Sequence, residues 1–237
     1  MMRPLVLWDI DGTLLRGSGL NARLFMQAIR EVYALADEVH RIEYGGKTDP
    51  QIVIETLALH GIDEALALDG LPRWTRRYLE LMETAADQLR THLRLLPGVI
   101  DAIEALRERG AIQTLLTGNT EAVAAIKLRA LDLDRVLDLP IGAYGSDHRD
   151  RTQLVPIARR KAAARYGERI GPAIVIGDTP RDIACGKAGG ARTVAVATGT
   201  FDLDALLTHE PDAALPDLSN TAAAITAILG EDLLNDQ

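Results

Sequence analysis

Asp9 and Asp11 are two carboxylates one residue apart at the end of a short apolar run, and Gly12 and Thr13 follow at once. In an extended chain, residues i and i+2 point to the same side, so both acids can face one site. Two anions held that close repel one another unless one is protonated or a cation lies between them. The motif therefore asks for a cation. Comparable endings recur along the chain. Thr117, followed by Gly118 and Asn119, closes an apolar run at 111–116. Asp178 closes another at 173–177, and Asp182 lies one helical turn further on, where it can share the same face. Aspartates often form turns after strands. That habit accounts for one acid but not for further acids after a second buried run.

The elements that must position these residues follow from hydrophobic period and turn chemistry. A first strand is expected at 4–9. A helix follows over 20–35, with Leu20, Leu24, Ala28 and Val32 on one face. Gly45-Gly46 is a break, and Thr48 or Asp49 can cap the next helix with Pro50 in its first turn. Gly61 stops that helix, and Gly70-Leu71-Pro72 is expected to start a long one running towards Leu93. Nothing in 20–93 reads as a strand. After Pro97-Gly98 the rhythm alternates: helices at 99–109, 120–131, 152–166, 179–188 and 219–229, and strands at 111–116, 139–144, 173–176, 191–197 and 211–215. Alternation of this kind implies an α/β fold, a doubly wound parallel sheet with helices on both faces. Residues 1–16 and 94–237 would form this core, and 17–93 an all-helical insert after the first strand. Ligands of such sheets bind beyond the carboxyl ends of the strands, where Asp9, Asp11, Thr117, Asp178 and Asp182 fall.

The bulk properties narrow the field. The 237 residues suffice for a sizeable core, with 47% hydrophobic and 25% charged residues. A net charge of −8 gives a nucleic-acid partner little electrostatic help. A single cysteine, Cys185, excludes an intrachain disulfide and a cysteine-rich metal site; it reads as a small core residue. No apolar run approaches the roughly 20 residues of a membrane span. Asp9 and Asp11 interrupt the one candidate signal-peptide core, so a cytoplasmic protein without membrane partners is expected.

Asp9-Ile10-Asp11-Gly12-Thr13 resembles the first motif of the haloacid dehalogenase-like hydrolase superfamily, Asp-x-Asp-Gly-Thr. Leu115-Leu116-Thr117-Gly118-Asn119 is similar to its second motif, and Gly177-Asp178-Thr179-Pro180-Arg181-Asp182 to its fourth. Order and spacing agree across the chain, and the helical insert resembles the family's cap domain. The resemblance implies a nucleophile, Asp9, that attacks phosphorus. It implies that Asp11 protonates the leaving alcohol and then activates water, and that Thr117 bonds a phosphoryl oxygen. Mg²⁺ would be held by Asp9, Asp178 and the main-chain carbonyl of Asp11, with Asp182 as a ligand or beside one. Thr13, Gly118, Asn119, Lys47 and Thr48 would stand around a small phosphorylated metabolite.

The third motif departs from the family, which usually supplies a lysine to pair with the nucleophile. Arg151 is the expected replacement, since arginine can grip phosphate through two donors; Arg149 and Lys161 are the alternatives. Gly45-Gly46-Lys47-Thr48 is not a phosphate-binding P-loop, because Arg41 stands where the first glycine is required. Gly17-Ser18-Gly19-Leu20-Asn21-Ala22 matches a dinucleotide fingerprint in letters. It lies too far beyond the first strand for one, and reads instead as a hinge. Asp11 favours phosphoryl transfer over dehalogenation, because a halide needs no acid. The implied activity is a Mg²⁺-dependent phosphatase, nearest in general likeness to phosphoglycolate phosphatases. A phosphomutase of the same superfamily would share the core residues. A phospho-receiver module would lack both the insert and the first motif.

Overall fold

The computed structural model describes residues 2–35 and 42–235; residues 1, 36–41 and 236–237 of the ranges above lie outside it. Strand β1 (Arg3–Trp8) is central, with β4 (Ile112–Thr117) on one side and β6 (Ile170–Gly177) on the other. With β5 (Ala143–Tyr144), β7 (Arg192–Val196) and β8 (Ala213–Leu215) they make a parallel sheet of order β5-β4-β1-β6-β7-β8. The chain builds outward from β1 in one direction and then resumes on its other side. The crevice at this reversal is where such sheets take ligands.

The alternation along β1 shows why both faces must be covered. Val6 and Trp8 enter one hydrophobic cluster, while Leu5 and Leu7 enter another on the opposite face. A strand buried on both sides reads as an uninterrupted apolar run, as 5–8 does. The indole Nε1 of Trp8 donates to Gln113 Oε1 on β4 at 3.1 Å, so the one polar atom of the ring is satisfied inside the core.

Among the described residues, four helices lie between the short strands β2 (Leu15–Gly17) and β3 (Leu93–Leu95): α1 (Leu20–Val32), α2 (Asp49–Leu59), α3 (Glu64–Thr84) and α4 (Ala86–His92). Phe25 on α1 meets Trp74 and Tyr78 on α3 edge-on, with ring centroids 4.8 and 5.2 Å away. The Tyr78 hydroxyl bonds Asn21 on α1. The expectation that nothing in the insert forms strand is corrected here. Gly17 pairs with Leu93, and β2 and β3 join antiparallel where the insert leaves and rejoins the core. The long helix also starts earlier than expected. Asp63 caps it by accepting from the amide of Leu66 at 2.8 Å, and Pro72 lies inside it.

Helices α5 (Val99–Glu108), α6 (Glu121–Ala130), α7 (Leu154–Tyr166), α8 (Pro180–Ala188), α9 (Leu203–Leu207) and α10 (Thr221–Asn235) complete the layers. The expected strand at 139–144 is mostly a 3₁₀ turn at Leu139–Ile141, and only Ala143–Tyr144 pair with β4. Pro140, which has no amide to give a ladder, opens that turn. Among the described residues, no helix is long and apolar enough to cross a membrane.

Candidate active site

The β1 ladder runs one residue past the strand, with Asp9 N donating to Ile176 O at 2.9 Å. The chain then turns sharply: Gly12 has φ +92°, its amide donates to Leu15 O, and Leu14 N returns to Ile10 O. A Cβ on Gly12 would lie 2.4 Å from Asp178 Oδ2, so conformation and space both require glycine. This turn puts buried Asp9 and half-exposed Asp11 at the carboxyl edge of the sheet. Asp178, at the end of β6, is buried beside them and accepts from Thr13 Oγ1 at 3.0 Å.

Asp182 arrives by a different route. Thr179 and Asp182 form a capping box at the start of α8, with Pro180 in its first turn. Asp182 Oδ2 accepts from the amide and hydroxyl of Thr179, and Oδ1 accepts from Arg151. Asp9, Asp178 and Asp182 have carboxylate oxygens within 4.8 Å of one another. With both Asp182 oxygens engaged by protein donors, Asp9 and Asp178 are better placed than Asp182 to offer ligand atoms.

Arg151 opens a single 3₁₀ turn at Arg151–Gln153, capped by Asp150, whose carboxylate accepts from the amide of Thr152 at 2.9 Å. Its guanidinium is buried; Nη2 reaches Asp9 Oδ1 at 2.9 Å and also Asp182. Arg149 instead pairs with Glu64, and Lys161 pairs with Asp147 at 2.7 Å while donating to Gly142 O at 2.8 Å. Neither contact is to Asp9. Buried Cys185 donates its thiol to Arg151 O, a structural part in the same corner.

Burial pushes the Asp9 carboxyl up to about 7; Arg151 opposes the rise, and Asp182 and Asp11 add to it. Burial also raises Asp178, to about 8, with the charges of Asp9 and Asp182 adding to the effect. Two neighbouring acids that both resist ionisation are stabilised as anions by a cation between them. That electrostatic need, with hard oxygen donors at a rim, fits a divalent cation such as Mg²⁺.

Thr117, at the end of β4, has its oxygen facing the amide of Asn119 at 3.3 Å and Asn119 Nδ2 at 3.1 Å. Both contacts use the oxygen as acceptor, which directs its proton elsewhere. Gly118 lets the insert come close: Asp49 N donates to Gly118 O at 2.7 Å, and a Cβ on Gly118 would strike Lys47 O at 2.1 Å. Asp49 Oδ2 in turn accepts from Thr120 N at 2.9 Å. Helix α2 is thus pinned to the loop after β4 at its first residue.

A cavity of about 610 Å³ opens over this rim. Asp9, Asp11, Thr117 and Asp178 line its floor, and Phe25, Tyr44 and Ile52 from the insert line its other wall. Gly118, Asn119 and Lys47 also reach it, with Lys47 paired to Glu55. Thr13 and Thr48 are not lining residues: Thr13 supports Asp178, and Thr48 caps α2 while donating to Arg149 O at 2.7 Å. One residue at the rim was not singled out from the sequence. Lys127, in the last turn of α6, is entirely buried and bonds Asp11 and Asn119. Its signal was its place on the buried stripe with Val123, Ala124 and Leu128.

A doubly wound α/β sheet with acids and an arginine converging under a cavity defines an enzyme rather than a structural module. The haloacid dehalogenase-like hydrolase profile matches residues 4–190, and the chain belongs to that family. It is 25% identical over 229 residues to "Probable phosphatase IndB" of Dickeya dadantii, covering 96% of each chain. It is 27% identical to a phosphoglycolate phosphatase of Rhodospirillum rubrum, covering 84% of this chain and 81% of that one. A solved hydrolase from Pseudomonas syringae shares the fold, with a TM-score of 0.66 at 18% identity over 95% of this chain and 98% of that chain.

Proposed function

We propose that the protein is a Mg²⁺-dependent phosphatase that hydrolyses small organic phosphate monoesters through an aspartyl-phosphate on Asp9. The observation that carries this reading is the Arg151–Asp9 pair. It fixes a carboxylate at a strand end, next to Asp178 and below the cavity. In the first step a carboxylate oxygen of Asp9 bonds phosphorus as the bond to the ester oxygen breaks. Asp11 gives its proton to the departing alkoxide. In the second step Asp11 takes a proton from water, whose oxygen bonds phosphorus and displaces Asp9. Thr117 donates its proton to a phosphoryl oxygen, and Arg151 balances negative charge beside Asp9. A divalent cation bound by Asp9, Asp178 and the main-chain carbonyl of Asp11 would shield the incoming phosphoryl group from the carboxylates.

Residues 17–93 act in this reading as a cap that excludes water while Asp9 is phosphorylated. The β2–β3 pair, where the insert joins the core, supports that division. The relative named phosphoglycolate phosphatase makes phosphoglycolate a first compound to try. The test is turnover of p-nitrophenyl phosphate, phosphoglycolate, sugar phosphates and nucleotides with Mg²⁺, repeated in EDTA. Metal-dependent release of phosphate from at least one ester is expected. No turnover across the panel would remove the reading.

A further inference from the structure

We propose that Lys127 is a positioning residue for Asp11: its ammonium holds the carboxylate in the orientation that delivers a proton to the leaving group. This rests on the reading of Asp11 as the acid of a phosphatase.

A lysine on a helix ordinarily lies in solvent, with its charge hydrated. Lys127 does not. It is 0% exposed, on a helix face shared with Val123, Ala124 and Leu128. Burying an ammonium is costly unless the charge is paired and its donors are used. Here Nζ donates to Asp11 Oδ2 and to Asn119 Oδ1, each at 2.6 Å. Asn119 closes the ring, its Nδ2 donating to the same Asp11 Oδ2 at 2.8 Å. The amide orientation is forced, because only its oxygen can accept from lysine.

These two hydrogen bonds to the Asp11 side chain fall on one oxygen. The carboxylate they hold is 45% exposed and lines the cavity, so the buried lysine braces a group that faces the substrate space. With Oδ2 taken, Oδ1 is the oxygen left to carry the proton. Lys127 itself moves no proton and touches no substrate; it fixes where Asp11 stands. A general acid must lie within hydrogen-bond reach of the atom it protonates, so a carboxylate free to rotate loses efficiency.

A second carboxylate relates this brace to the insert. Asp49 is buried at the start of α2, and the positive charge of Lys127 counters its rise in pKa. Asp49 reaches the core through its amide to Gly118 O and through the amide of Thr120. The charge of Lys127 is thus shared by Asp11 in the core and Asp49 at the start of α2.

Leaving-group dependence tests the proposal, because a purely structural lysine has no reason to discriminate between esters. Wild type, Asp11→Asn, Lys127→Met and the double variant are compared on p-nitrophenyl phosphate and phenyl phosphate. The first has a good leaving group that needs little acid assistance; the second has a poor one. Lys127→Met is expected to lose about tenfold more kcat/KM on phenyl phosphate than on p-nitrophenyl phosphate. It should lose little further on either ester when combined with Asp11→Asn. Should Lys127→Met fail to fold, Asn119→Ala, which removes the other donor to Oδ2, is expected to show the same split. Equal losses on the two esters, with Asp11→Asn showing the split, would overturn the role of Lys127 alone. If Asp11→Asn itself shows no split, Asp11 is not the acid, and both readings fall.

Discussion

Arg151 Nη2 lies 2.9 Å from Asp9 Oδ1, although 142 residues separate the two. The same nitrogen also serves Asp182, so one buried guanidinium sits between two buried carboxylates. Removing it leaves both acids without their cation. Arg151→Ala is expected to lower kcat by about 10²–10³-fold, the order seen when a preorganised donor is lost. It should also cost about 3–5 kcal/mol of stability, as breaking a buried pair does. Lys161→Ala, which loses a contact to Asp147, should keep its activity. Activity assays with urea denaturation of both variants check this, and loss in Lys161→Ala alone would mean that Arg151 is wrongly chosen.

Asp9→Asn should abolish turnover without unfolding the protein. Burial already lifts the Asp9 carboxyl to about 7, with Asp182 and Asp11 adding to the rise. A neutral amide at this place relieves that repulsion. The expected result is no phosphate release, with a Tm in EDTA equal to or above that of wild type. A variant that still turns over would show that the nucleophile lies elsewhere.

Cation binding should depend on Asp178 and, through it, on Thr13. Thr13 Oγ1 donates to Asp178 Oδ1 at 3.0 Å and orients it. EDTA is expected to stop the reaction and MgCl₂ to restore it. Thr13→Val should raise the Mg²⁺ concentration for half-maximal activity by about 10–100-fold, the usual cost of losing such a support. Isothermal titration of the stripped protein gives a second readout, and an unchanged Mg²⁺ affinity in both Thr13→Val and Asp178→Asn would place the metal elsewhere.

Asp49 gives a pH dependence whose sign is fixed. Its carboxyl rises from 3.8 to about 7, chiefly through burial, against Lys127 and the Thr120 amide, which lower it. Between those values the folded chain holds a proton that the unfolded chain has shed. Stability therefore falls as pH rises through this window. The contribution is fully present below 3.8 and lost as pH passes about 7. Asp49→Asn removes it, so the Tm of wild type relative to this variant should decline from about pH 4 to about pH 8. Parallel Tm curves would show that Asp49 does not titrate there.

Much of the site was legible because its signals are local. Asp9, Asp11, Thr117 and Asp178 each end an apolar run. A strand end has a fixed place in a parallel sheet, its carboxyl edge, so position in sequence became position in space. Thr48 and Pro50 marked the start of α2 for the same reason: a cap is decided within one turn. Pro72 misled, because a proline that normally opens a helix sits inside α3. Leu68, one turn before Pro72, is 40% exposed, so the proline falls where the helix faces solvent. Strands β2 and β3 are three residues each, too short for any period to register.

By itself the sequence determined the α/β alternation, the acids at the strand ends and the demand for a cation, since hydrophobic period and residue type are properties of short stretches. Only the tertiary structure decided which basic residue meets which acid. Position before a helix and the bidentate grip of arginine favoured Arg151 over Arg149 and Lys161, but neither names the acid that it meets. The capped turn at Arg151–Gln153 aims one of them at Asp9, while the others find Glu64 and Asp147. Lys127 belongs to the same class. Its neighbours along α6 say that it faces the core, but the carboxylate it faces comes from a strand end 116 residues away. A charge pair is made by the path of the chain through space, and no local pattern encodes that path.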